Sequence, residues 1–110
     1  KILEAPEVAV EATCVRVPVM VGHGITAAAW FDREVTPSEA EELIAAGPGV
    51  QVWSDRVATP LDSAGIDDVL VSRIRATLGA PGGVNLWVVG DNLRKGAALN
   101  AVQIAELVAS

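Results

Sequence analysis

Hydrophobic and polar positions alternate along residues 8–21, a region rich in valine. Valines occupy every second position from 15 to 21, and Arg16, Pro18 and Met20 fall between them. This period of two predicts a strand. Pro18 within the run indicates an edge strand or a bulge, because proline cannot donate to a central ladder.

Four shorter runs also predict strands, at residues 25–33, 50–53, 69–78 and 84–89. Alternation in the third run puts Val71, Arg73 and Arg75 on one face, with Leu70 and Ser72 on the other. The sequence APGG between the last two runs predicts a hairpin turn, and residues 55–68, with their proline and glycine, are predicted to form a loop.

Helical signals occur in two places. Thr36 is a predicted N-cap, followed by Pro37 at the first helical position and by Glu39 as the return partner of a capping box. Gly47 is the predicted end of that helix. Near the carboxy terminus, a loop precedes an alanine-rich helix with apolar residues at helical spacing. The order β-β-α-β-β-β-α predicts an α+β fold, a mixed sheet with helices.

Length and composition restrict the possible function. A chain of 110 residues predicts a single domain, and 51% of its residues are hydrophobic. We expect part of this apolar surface to contact another domain or subunit, since monomers rarely expose large apolar patches. The net charge of -6 argues against nucleic acid and membrane surfaces as partners. No apolar run reaches the length of a bilayer span.

The cysteine count and the first residue bear on location and completeness. Cys14 is the only cysteine, so no internal disulfide is possible and a cytoplasmic location is the default expectation. No cysteine and histidine spacing supports a metal site. The chain begins at Lys1, not at methionine, and we expect it to be part of a longer protein.

Arg16 and His23 are the candidate functional residues. Arg16 interrupts an apolar run, so it either balances a nearby carboxylate at the surface or grips a carboxylate or phosphate in a cleft. His23 lies between two glycines and is either a solvated turn residue or a proton carrier suited to neutral pH. The residues alone leave both alternatives open.

Two long motifs carry a resemblance to a known family. The segments TCVRVPVMVGHG and GDNLRKGAALNAVQIAE, together with the opening KIL, resemble the carboxy-terminal part of bacterial aspartate-semialdehyde dehydrogenase. The resemblance implies that residues 1–90 belong to a catalytic and dimerisation domain like that of glyceraldehyde-3-phosphate dehydrogenase. It implies that residues 91–110 form a helix that returns to the NADP-binding domain, and that the protein is a homodimer.

The resemblance also implies a chemistry. The family interconverts L-aspartate 4-semialdehyde, phosphate and NADP with L-aspartyl 4-phosphate and NADPH, on the route to lysine, methionine and threonine. A cysteine thiolate attacks the aldehyde. By resemblance, Arg16 binds the substrate α-carboxylate, His23 is the acid/base residue and Asn92 contacts the nicotinamide end of NADP. The nucleophile and the main cofactor site fall outside this chain, so we expect it to be inactive alone.

The remaining features have weaker functional interpretations. Cys14 is expected to be a small buried apolar residue rather than the nucleophile, and Gly24 departs from the serine usual in the family. Residues 94–96 either bind the NADP phosphates or face solvent. The three tryptophans are expected to anchor the core or an interface. The alternatives to the enzyme are a non-catalytic dimerisation module and a small-anion-binding α+β domain.

Overall fold

A four-stranded mixed sheet forms the centre of the computed structural model, which describes residues 4–109. The strands are β1 (His23–Trp30), β2 (Val50–Trp53), β3 (Val69–Ala76) and β4 (Gly83–Gly90). They lie in the order β1-β4-β3-β2, with β4 antiparallel to both neighbours and β2 parallel to β3. The α+β prediction and the four shorter strands are confirmed. The opening KIL lies outside the described residues, as does Ser110.

The helices follow local capping signals. Helix α1 (Pro37–Ala45) begins after Thr36, whose side chain accepts a hydrogen bond from the Glu39 amide, as predicted. The Glu39 carboxylate binds Arg33 instead of completing the capping box. A short helix α2 (Pro60–Ser63) lies where the sequence predicted only loop, and a complete capping box between Thr59 and Asp62 explains it.

The carboxy-terminal residues are helical, as predicted. A π-helical turn at Arg94–Ala98 continues into helix α3 (Leu99–Ala109). No described residue of α3 is buried, and Val102, Ile104 and Val108 are all more than half exposed. No helix within residues 4–109 is long and apolar enough to cross a membrane.

The strand predicted for residues 8–21 is wrong. Residues 5–20, which we call the extended segment, form no strand and lie almost wholly at the surface, with Val15 76% exposed and Met20 99% exposed. Alternation gives a segment a strand-like pattern, but a strand also needs a neighbour to accept and donate its backbone hydrogen bonds. No described strand lies beside this segment.

One cluster of core residues lies on one face of the sheet, while Val71 and Val84, which are also buried, lie on the other. Leu70 and Val89 face each other across β3 and β4, and the loop residue Ala58 covers them. All three are at most 1% exposed, and Trp53 and Trp87 pack around them. The expectation that tryptophans anchor the core therefore holds for two of the three, while Trp30 is 54% exposed.

A β-bulge changes the pattern of β3. The register shifts between Ser72 and Arg75, and Arg73 has a left-handed φ of 59°. The extra residue puts Arg75 opposite Asn85, so Arg75 shares a face with Ser72 and not with Val71. The predicted grouping of Val71 with Arg75 is therefore wrong, because simple alternation does not report an inserted residue.

Candidate functional site

His23 is the first residue of β1 and lies at the surface, between two glycines that the fold requires. Gly22 is buried with φ at 95°, and a Cβ there would fall 2.8 Å from the Pro60 carbonyl oxygen. Only glycine combines that conformation with so close an approach. The glycine before His23 thus allows close packing against α2.

Gly24 lies under the side chain of Trp87. A Cβ at Gly24 would fall 2.6 Å from Cζ2 of the indole and nearer still to Cη2. The Trp87 Nε1–H donates to the carbonyl of Ala58 at 2.7 Å. The departure from serine at this position therefore has a steric reason, since the ring occupies the space that a serine side chain would need.

One hydrogen bond joins Asn92 to Gly22, the residue before His23. Oδ1 of Asn92 accepts from the amide of Gly22 at 2.9 Å, across 70 positions of sequence. The pairing of His23 with Gly90 in the β1–β4 register brings the two segments to the same end of the sheet. The structure therefore brings together two of the three predicted site residues. We call Gly22–Gly24, Trp87 and Asn92 the site end of the β1–β4 pair.

Asp91 holds the loop that carries Asn92. The residue is 3% exposed, and its two carboxylate oxygens accept from the amides of Gly65 and Leu93, each at 2.8 Å. These two hydrogen bonds hold the pKa of Asp91 below its ordinary value, the Gly65 contact contributing most. The carboxylate thus joins the loop after β4 to the loop before β3.

The cations of the following turn are paired within the chain. Arg94 binds Asp67, with Nε 2.6 Å from the carboxylate oxygen, and Lys95 donates to Gln103. Both contacts lie partly or fully at the surface, which agrees with the solvent-facing interpretation of residues 94–96.

Arg16 is the predicted site residue that no hydrogen bond joins to the site end in the described part of the chain. It is exposed on the extended segment and makes no ion pair or hydrogen bond within residues 4–109. Cys14 on the same segment is exposed, so the expectation that it is buried is wrong. Both results follow from the absence of a neighbouring strand along the described part of this segment, since nothing there covers alternate side chains.

A cavity of about 240 Å³ lies elsewhere, at the end of β2. It is lined by side chains of both charges, Glu41, Asp55, Arg56 and Arg73 among them, and by none of the predicted site residues. Within the described part of the chain, His23 and Asn92 therefore lie on an open surface rather than in this cavity.

Sequence reasoning missed two residues that shape the site end, Asp91 and Trp87. Asp91 stands next to Asn92 in a loop motif, and an acidic residue before an Asn-Leu pair is a turn signal that could have indicated its capping role. Trp87 had no such signal, because its contact with Gly24 depends on the register of two strands far apart in sequence.

The sequence matches, over residues 1–95, the family model described as the dimerisation domain of semialdehyde dehydrogenase. A curated relative from Mycolicibacterium smegmatis, an aspartate-semialdehyde dehydrogenase, is 52% identical over 112 residues, covering 100% of this chain and 32% of the relative. One from Corynebacterium glutamicum, with the same name, is 52% identical and covers 98% of this chain and 31% of the relative. The chain thus spans about a third of the length of these relatives.

Solved structures agree with the sequence match. Aspartate semialdehyde dehydrogenase II from Vibrio cholerae, complexed with ASA, has a TM-score of 0.84 and 40% identity, covering 88% of this chain and 30% of that one. A probable aspartate-semialdehyde dehydrogenase from Pseudomonas aeruginosa has a TM-score of 0.78 and 35% identity, covering 84% of this chain and 28% of that one. The resemblance inferred from the two motifs is confirmed.

Proposed function

The chain belongs to the family of semialdehyde dehydrogenase dimerisation domains, and on that premise we propose that it is part of an NADP-dependent aspartate-semialdehyde dehydrogenase. The reaction converts L-aspartate 4-semialdehyde, phosphate and NADP to L-aspartyl 4-phosphate and NADPH, and it is reversible. It supplies the cytoplasmic synthesis of lysine, methionine and threonine. Residues 1–90 contribute to the catalytic and dimerisation domain, and the segment 91–110, which contains α3, returns to the cofactor domain.

The observation that carries the proposal is the hydrogen bond between Gly22 and Asn92. It fixes the peptide before His23 to the loop of the second family motif, with 2.9 Å between the amide nitrogen and Oδ1. Two motifs that the family resemblance assigns to one active site therefore meet at one end of one sheet. That juxtaposition supports a shared site better than either motif alone.

His23 serves as the proton carrier in this proposal. Its imidazole is exposed at the start of β1, where a substrate bound by the rest of the protein can reach it. The ring accepts the proton of the attacking thiol and later transfers a proton to and from the substrate oxygen. The thiol belongs to a part of the protein outside this chain, which is why the chain alone is expected to be inactive.

Arg16 serves as the carboxylate anchor. Its guanidinium has no anionic partner within residues 4–109 and is free to bind both oxygens of the substrate α-carboxylate. A planar fork fixes the orientation of an amino acid better than a point charge does. In this proposal the extended segment brings Arg16 toward the substrate once the longer protein covers it.

Asn92 fits the carboxamide edge of NADP. Its Oδ1 already accepts from Gly22, which fixes the side-chain amide, and its Nδ2 donors have no partner within residues 4–109. A fixed amide with free donors complements the carbonyl oxygen of a carboxamide. When bound, NADP accepts the hydride in this reaction.

A chimera tests the proposal. In it, this chain replaces the matching third of the Mycolicibacterium smegmatis relative, and we measure NADP reduction with L-aspartate 4-semialdehyde and phosphate. We expect phosphate-dependent activity within about ten-fold of that relative. A folded chimera without activity contradicts the proposal, and the isolated chain provides the inactive control.

Two variants of the chimera test the residue roles. His23→Ala is expected to lower kcat by about a hundred-fold or more, because general acid–base catalysis contributes that much. Arg16→Ala is expected mainly to raise the KM for the semialdehyde, and Arg16→Lys to recover it only in part, because lysine keeps the charge without the fork. Unchanged kinetics in both alanine variants would remove these assignments.

A non-catalytic role in dimerisation is the second candidate. It is favoured by the exposed apolar residues of the extended segment, among them Val10, Val15 and Met20. The proposed enzyme is itself a homodimer, so both candidates place a second copy near this chain. Light scattering on the chimera shows whether it forms a dimer. Activity of the chimera then separates an enzyme from a module that only dimerises.

A further inference from the structure

Trp87 packs against the peptide that follows His23. In the β1–β4 register, Trp87 pairs with Thr26, which puts its side chain on the same face as Gly24. The indole atoms Cζ2 and Cη2 fill the space where a Cβ of Gly24 would be. His23 points to the other face because neighbouring residues of a strand alternate, so the indole reaches His23 only through the backbone.

Hydrogen bonds to buried residues fix the position of the Trp87 ring. Its Nε1–H donates to the Ala58 carbonyl at 2.7 Å, and the Ala58 amide donates to Ser72 Oγ at 3.1 Å. Ala58 and Ser72 are at most 1% exposed. A ring anchored at its polar edge, with its far edge against a glycine, holds that glycine's backbone at a fixed position within β1.

We propose that Trp87 is a positioning residue for His23: the anchored indole sets the path of the Gly24 backbone and thereby the direction of the imidazole. This inference rests on the proposed function, in which His23 moves the proton. A proton carrier displaced by about 1 Å can lose on the order of a hundred-fold in rate.

The same strand pair provides a matched control at its other end. There Trp30 packs on Gly83, whose Cβ would fall 2.6 Å from the indole Nε1, and the Trp30 Nε1–H donates to the Ala80 carbonyl at 3.4 Å. We call Trp30, Gly83 and the turn at residues 77–82 the hairpin end. Trp30→Phe therefore removes the same kind of contact from the same two strands, far from His23.

The first experiment measures kinetics of the chimera. Trp87→Phe removes both the anchor and the indole atoms nearest Gly24, and we expect kcat to fall ten-fold or more with the KM for the semialdehyde changed less than three-fold. Trp30→Phe is expected to leave both parameters within two-fold. Equal losses in the two variants, or losses that only follow stability, overturn the proposal.

The second experiment needs no catalysis. His23 is the only histidine of the chain, so its imidazole carbon-bound proton gives a unique NMR signal in the 110-residue protein. We expect Trp87→Phe to shift or broaden this signal and the Gly24 amide, and Trp30→Phe to leave them unchanged. If the parent chimera is inactive but Trp87→Phe moves the His23 signal, only the proposed function is contradicted. If the His23 signal does not move, the role of Trp87 is contradicted.

A double substitution tests the contact itself. Gly24→Ser should displace the indole and move the His23 signal, because the added Cβ overlaps Cζ2 and Cη2. Phenylalanine lacks these atoms, so Gly24→Ser should lower the unfolding midpoint less in Trp87→Phe than in the parent chain. Additive effects of the two substitutions would show that the ring and Gly24 are not coupled.

Discussion

The site end and the hairpin end of the β1–β4 pair use the same two residue types but differ in what lies behind the contact. At the site end, Trp87 donates to Ala58, which is 1% exposed, at 2.7 Å. At the hairpin end, Trp30 donates to Ala80 in an exposed turn, at 3.4 Å. The contact between tryptophan and glycine is thus held by a buried residue at the site end and by an exposed turn at the hairpin end. His23 lies at the site end.

The difference extends to the glycines that shape each end. Gly22 is buried against Pro60, while Gly82 has open space around the position of a Cβ, although both have a left-handed φ. At the site end the Asp91 and Asn92 side chains accept hydrogen bonds from backbone amides, whereas at the hairpin end the Thr77 hydroxyl donates to backbone carbonyls. Four predictions test this contrast, in order of expected effect.

The largest effect is expected from Gly22→Ala. Alanine at φ 95° is strained, and its Cβ would fall 2.8 Å from the Pro60 carbonyl oxygen, so we expect a loss of about 3 kcal/mol in the free energy of unfolding. Gly82→Ala, with φ at 80° and no atom within 4 Å, should lose only about 1 kcal/mol. Urea unfolding measures both. Equal losses would mean that burial of Gly22 adds nothing to its conformational strain.

Removal of one hydroxyl at each end gives the next largest effect. Ser72→Ala leaves the buried Ala58 amide without its acceptor, and we expect a loss of about 2 kcal/mol. Thr77→Val removes the contacts of Thr77 Oγ1 to the carbonyls of Ala80 and Gly83, in an exposed turn, and should cost about 0.5 kcal/mol. A larger loss for Thr77→Val, measured by urea unfolding, would reverse the comparison.

Acid should loosen the site end before the hairpin end. The folded-state pKa of Asp91 is held below its ordinary value of 3.8 by the Gly65 and Leu93 amides. Its stabilisation is therefore complete above that ordinary value and is lost as pH falls through the lower folded-state pKa. Below about pH 4 we expect the Gly65 and Leu93 amide NMR signals to shift while the Thr77 amide, bound to the Gly83 carbonyl, does not.

The variant Asp91→Asn provides the control for the acid experiment. Its amide cannot ionise, and only its oxygen can accept, so one of the two backbone donors loses its partner at every pH. The site end should then be less stable than in the parent at neutral pH and should show no further change below pH 4. A parent protein whose two ends respond together to acid would contradict the role given to Asp91.

Local sequence patterns predicted the elements that have local causes. Thr36 and Pro37 identified the start of α1, because capping acts between close residues, and the short runs at 50–53 and 84–89 identified β2 and β4. Alternation failed over residues 8–21 because it does not report whether a neighbouring strand exists. The bulge at Arg73 was also missed, since an inserted residue appears only in the pairing with β4.

Some residues of the candidate site could likewise be predicted from the sequence, and others could not. The family motifs identified His23 and Asn92, and the structure puts their segments in contact through Gly22. The contact of Trp87 with Gly24 could not be predicted, because it depends on which residues of β1 and β4 are paired. Arg16 lies on a segment without a neighbouring strand among the described residues, so its place in the site stays a prediction.

The smallest effect is expected from two exposed apolar residues, one near each end. Met20 is 99% exposed and Leu78 is 97% exposed, so Met20→Ser and Leu78→Ser should each change the stability of the isolated chain by less than about 0.5 kcal/mol. In the chimera, however, we expect Met20→Ser to cost about 1 kcal/mol, because the proposed site requires the segment before His23 to be covered. Leu78→Ser should stay neutral there. Thermal unfolding of the four proteins measures the contrast, and a neutral Met20→Ser in the chimera would show that the longer protein leaves this segment uncovered, which would count against the place given to Arg16.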